Sequence, residues 1–94
     1  MKSDKLYHAY IQALLFLRNF HLRFLEPMSI DYFRIKVQKE IIILLIQDGM
    51  AEVFQDYYKE DDGRLVSGIS ITFKGLWRAY KEVGRDSFYK ATNK

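Results

Sequence analysis

At 94 residues without a cysteine, the chain has the length of one domain and excludes a disulfide framework, a thiolate metal site and a cysteine nucleophile. Apolar residues make up 49%, with seven Tyr, seven Phe and one Trp, enough for a core that needs no staples. The formal net charge is a mild +3 but is unevenly spread: residues 48–63 carry six acids against Lys59 alone, between two basic flanks, which is not the pattern of a uniformly basic nucleic-acid binder.

The opening Met1–Lys5 leads into a pattern punctuated by Tyr7, His8 and Gln12, not the smooth apolar stretch of a signal peptide. The most apolar run, Ile41 to Ile46, is far too short to span a bilayer. The expectation is a single cytoplasmic domain over 1–94 with no membrane partner.

In chain order, Leu6, Tyr10, Ala13, Leu14, Leu17, Phe20 and Phe24 recur at helical steps, with Tyr7, Ile11, Leu15 and Leu22 as a second stripe. The spacing predicts a helix from about Asp4 to about Leu25, ended by Pro27, or one broken near Asn19. Ser29 is a good N-cap for a second helix reaching Asp48, with Ile30, Phe33, Val37, Ile41, Leu44 and Leu45 as its core stripe and Gly49 as its stop. Its second half adds Ile42, Ile43 and Ile46 on the far side, a surplus that predicts a dimer interface there.

A hairpin is predicted next. Ala51 to Tyr58 forms one strand, Asp61-Asp62-Gly63 the turn, and Leu65 to Phe73 the return, with Gly68 marking a bulge or twist. Tyr57 and Tyr58 point to opposite faces of the strand. Thr72 then caps a last helix with Leu76, Trp77, Tyr80 and Val83 on its apolar face and Gly84 at its end; residues 86–94 are expected to fray.

The fold class is therefore α+β: two N-terminal helical segments, a two-stranded hairpin and a C-terminal helix. That order resembles a winged-helix domain. The local text agrees: Ile46-Gln47-Asp48-Gly49-Met50-Ala51-Glu52-Val53 resembles the passage from recognition helix into wing, and Ile69-Ser70-Ile71-Thr72-Phe73-Lys74-Gly75-Leu76 resembles the passage from wing into closing helix. The resemblance covers residues 29–83 and is to small winged-helix proteins of bacteria and their phages. Two departures stand out. The helix between the first and the recognition helix is short or missing, and the wing tip is acidic.

The resemblance makes the helix from Ser29 the recognition helix of a transcription regulator on double-stranded DNA. Tyr32, Arg34, Lys36, Gln38 and Lys39 are then its candidate contacts, with Arg64 beside the wing. The same residues also read as the solvated face of an amphipathic helix, as do Lys74, Arg78 and Lys81 on the last helix. The alternative is a protein-binding adaptor or inhibitor, of a phage or mobile-element type, using Glu60, Asp61 and Asp62 against a basic partner. Those acids lack the spacing of a calcium loop. His8 and His21 are read as boundary histidines, with no Ser-His-Asp set, phosphate loop or HExxH pattern around them. A non-enzyme with no catalytic residues, metal or cofactor is expected, acting as a homodimer.

Overall fold

The computed structural model describes the backbone of residues 2–92 and the side chains of residues 4–84. The chain is α+β. Its order is α1 (Lys2–Phe24), β1 (Met28–Ser29), α2 (Ile30–Lys36), α3 (Lys39–Gln47), β2 (Ala51–Lys59), β3 (Leu65–Ile71) and α4 (Phe73–Thr92). The strands form one antiparallel sheet in the order β1-β3-β2.

Helix α1 runs without a break through Asn19. Ala13, Leu14 and Leu17, from its expected stripe, are buried. It ends at Leu25, whose N–H still donates to the His21 carbonyl at 2.8 Å while its φ swings to +56°. A left-handed residue with a Cβ is costly there, and glycine is the usual occupant. Leu25 is also 77% exposed, so its side chain contributes little packing. Leu25→Gly is therefore expected to raise stability by about 0.5–1 kcal/mol, read as a higher urea midpoint at unchanged slope; a lower midpoint would show that Leu25 is packed.

Pro27 then places Met28 and Ser29 in extended backbone, where they pair with Ile69 and Gly68. The hairpin is thus the larger part of a three-stranded sheet, not a free two-stranded wing. Ser29 stands at the N-cap position of α2, though without a side-chain cap bond.

The helix expected to run from Ser29 to Asp48 is two helices. Val37 and Gln38 are extended between them, at φ/ψ of −133°/136° and −63°/146°. The reason lies in the apolar pattern. At about 100° per residue, Phe33 and Ile42 would project from opposite sides of one straight helix. Both are buried in the same core, with Ile41 and Leu45. Only a turn between them can aim both inward. The short helix α2 thus stands between α1 and α3.

Helix α3 stops as expected at Gly49, which has a φ of +74°. In the sheet, Phe54 pairs with Gly68 but Tyr58 with Val66, so β2 advances four residues while β3 advances two. The irregularity expected at Gly68 thus lies on the facing strand, where Asp56 takes a φ of +53°. It leaves Tyr57 half exposed and turns Tyr58 inward, its hydroxyl donating to the Pro27 carbonyl. Burial there raises the Tyr58 phenol above its ordinary pKa.

Thr72 caps α4 as expected, its Oγ1 accepting the Gly75 N–H at 3.1 Å. The helix does not end at Gly84 but continues to Thr92. Of the stretch 86–94 expected to fray, all side chains, and Asn93 and Lys94 entirely, lie outside the described residues. No helix among those described is long and apolar enough to cross a membrane.

Candidate functional site

Three surfaces collect the residues singled out by sequence: the turn between α2 and α3, the exposed face of α3, and the β2–β3 hairpin.

The break at Val37 redistributes the six candidate nucleic-acid contacts. Tyr32, Arg34 and Lys36 belong to α2, Gln38 caps α3, and Lys39 opens it. They do not share one helix face. Arg34 and Lys39 flank Val37 across a small cleft, so the turn itself is basic. Tyr32 is not a free stacking platform. Its ring lies 6.2 Å from that of Phe16, and Lys36 Nζ sits 5.7 Å above its face. Arg64 is held elsewhere, with Nη1 3.1 Å from Asp31 Oδ2. The hydrogen bond to Asp31 raises its pKa and ties the hairpin tip to α2.

The face that α3 turns outward consists of Lys39, Glu40, Ile43, Ile46 and Gln47. Ile41, Ile42 and Leu45 face the core. This corrects the expected dimer interface: Ile42 is only 5% exposed, packed within its own chain, whereas Ile43 and Ile46 are 42% and 38% exposed. The outward face of α3 is therefore aliphatic at its centre, with one Lys and one Glu at its start. A purely sequence-based wheel missed this because it ran the phase of α2 through the break.

At the hairpin tip, the Glu60 N–H donates to the Arg64 carbonyl at 2.8 Å, and Asp62 Oδ1 accepts the Arg64 N–H at 3.0 Å. Asp62 thus shapes the turn, while Glu60 and Asp61 stand exposed beside it. Val53, Phe54 and Tyr57 on β2 and Leu65 on β3 add exposed apolar area. None of these four was singled out as a site by sequence; the signal is an edge strand whose neighbour on one side only is β3.

Away from these surfaces, two polar groups lock α1 to its neighbours. Tyr10 donates to Asp48 at 2.8 Å, and burial, with that bond, pushes its phenol well above the ordinary range. Tyr7 donates to Glu82 at 3.0 Å, and Arg78 Nε donates to the same carboxylate oxygen at 3.1 Å. Arg78 is therefore committed within the chain, and its pKa is raised by hydrogen bonds to Tyr7 and Glu82. Among the described residues, Lys74 and Lys81 remain as the exposed cations of α4.

His21 is half buried at the end of α1, with a buried Nδ1 that meets no partner among the described residues. No group of three or more metal-ligating side chains forms among the described residues. Comparison with family models, curated proteins and solved structures finds no match to this chain.

Proposed function

We propose that the chain is a non-enzymatic, winged-helix-like module that binds a protein partner through the outward face of α3 and the acidic hairpin that follows it. One observation carries this reading: Ile43 and Ile46 occupy the middle of the face that a groove-reading helix would present to DNA. Base edges in the major groove are read by long donors and acceptors, and two aliphatic side chains supply neither. The winged-helix resemblance is supported by the element order and by the sheet order β1-β3-β2. The partner's chemistry follows from charge. Glu60 and Asp61 repel phosphates and suit a basic surface with an apolar centre.

A second reading, a DNA-binding regulator, is favoured by the basic turn at Arg34, Lys36 and Lys39. It would engage phosphates more than bases, with the turn instead of a helix face as the contact.

Two titrations separate the readings. The first uses a labelled synthetic helix with one aliphatic face flanked by Lys and Arg, beside its charge-inverted counterpart. The second uses mixed-sequence duplex DNA at low and high salt. The protein-binding reading expects the basic helix alone to bind, and Ile43→Asn with Ile46→Asn to weaken it at least about tenfold, as loss of buried anchors does. DNA binding that falls by about 0.9 log units per log salt for each neutralised phosphate would overturn it and install the second reading. In that event Lys36→Ala and Lys39→Ala are expected to flatten the salt slope by about one unit each.

A further inference from the structure

Helix α4 carries two apolar faces, and only one is used within the chain. Leu76 and Ala79 turn toward the core cluster, where Ala79 is fully buried. On a helical wheel at about 100° per residue, Phe73, Trp77 and Tyr80 fall within an adjoining sector of roughly 60°. Their exposures are 87%, 58% and 68%, so nothing among the described residues covers them. The Trp77 and Tyr80 rings are nearly parallel, at 8° with centroids 5.8 Å apart, and form a flat ledge. Lys81 reaches over the Trp77 ring at 5.5 Å.

We propose that the protein pairs with a second copy of itself through this aromatic face of α4. The area approaches what a concentration-dependent pair needs. Aromatic side chains bury about 150–250 Å² each when enclosed, so the exposed parts of these three offer roughly 400 Å² per copy. The stems of Lys74 and Lys81 on its border extend the patch toward the roughly 600 Å² per partner at the low end of specific interfaces. The patch has no charge at its centre, so a two-fold operation sets aromatic on aromatic in the offset geometry such rings prefer. Lys74 and Lys81 lie on the same border of the stripe. A two-fold axis running along the helices keeps that border away from its equivalent in the second copy. The pairing face is distinct from α3, so it leaves the proposed partner surface free and does not rest on it.

Trp77 is the single tryptophan, which makes it the reporter of its own burial. The test is sedimentation equilibrium together with intrinsic fluorescence of the full chain, over a dilution series from about 100 µM to about 0.1 µM, the range expected for interfaces of this size. A dimer mass at the upper end is expected, with Trp77 emission moving to longer wavelength on dilution. Phe73→Glu with Tyr80→Glu is expected to halve the mass and abolish the shift while the far-ultraviolet circular dichroism stays unchanged. Ile43→Asn with Ile46→Asn should leave both readings as they are. A monomer at every concentration overturns the proposal, as does a dimer that survives the α4 substitutions. A monomer whose Trp77 emission shifts only on adding vesicles of anionic phospholipid also overturns it and gives the face to a lipid surface.

Discussion

Gly75→Ala is expected to destabilise the protein by about 3 kcal/mol, at the upper end of what overpacking costs. A Cβ at this position would stand 2.3 Å from the Met50 carbonyl oxygen and 2.6 Å from Ile71 Cγ1. Neither neighbour can retreat cheaply. The Met50 carbonyl accepts the Thr72 N–H at 2.9 Å, and Ile71 ends the central strand of the sheet. Gly75 itself donates to Thr72 Oγ1, so a shift of α4 away from Met50 would also strain its cap. The sign is the informative part. Judged as a residue inside a helix, Gly75→Ala should stabilise by about 1 kcal/mol through helix propensity. The expected fall in melting temperature is on the order of 10–20 °C for a domain of this size. An unchanged or higher melting temperature would show that α4 does not enter as closely against Met50 as described.

Phe33→Ala is expected to cost about 3–5 kcal/mol, a large share of the stability of a small domain. Phe33 is wholly buried, and its ring stacks on Phe16 of α1 at 6.2 Å and 4°. It is the only buried residue of α2. A seven-residue helix has no stability of its own in water, so α2 depends on this anchor. The expected consequence is a double one: a large fall in the urea midpoint, and early exchange of the α2 amides ahead of global unfolding. Tyr32→Ala, next in sequence but half exposed, is the control and should cost far less. If the two substitutions cost the same, Phe33 is not what holds α2 to the core.

The effect on function would follow from position. Arg34 and Lys36 ride on α2, and Asp31 holds Arg64 at the hairpin tip. Loosening Phe33 therefore disturbs the basic turn and one tie of the hairpin together. The outward face of α3 should be less affected, because Ile41, Ile42 and Leu45 anchor that helix independently.

Much of the architecture is legible in local chemistry. The stripe of Ala13, Leu14 and Leu17 announces α1, Pro27 its end, Gly49 the end of α3, Asp61-Asp62-Gly63 the hairpin turn, and Thr72 the start of α4. Each of these signals acts over a few residues through periodicity, a fixed φ, a positive φ or a side-chain cap, so the sequence alone determines them. The break at Val37 has no such mark. Neither Pro nor Gly stands there, and the helical phase merely shifts from Phe33 to Ile41 and Ile42.

What only the tertiary structure decided is which apolar residues the core has room for. Ile42, Ile43 and Ile46 look alike in sequence, yet the turn before α3 buries the first and leaves the other two outside. Phe73, Trp77 and Tyr80 lie on the same helix as the buried Ala79, and packing against the body of the chain leaves their side bare. Arg64 looked like a free contact until the fold brought Asp31 beside it. β1 is too short to read as a strand, and exists because β3 offers it an open edge. Burial and pairing depend on residues distant in the chain, and periodicity along the chain carries no record of which partner arrives from the other side.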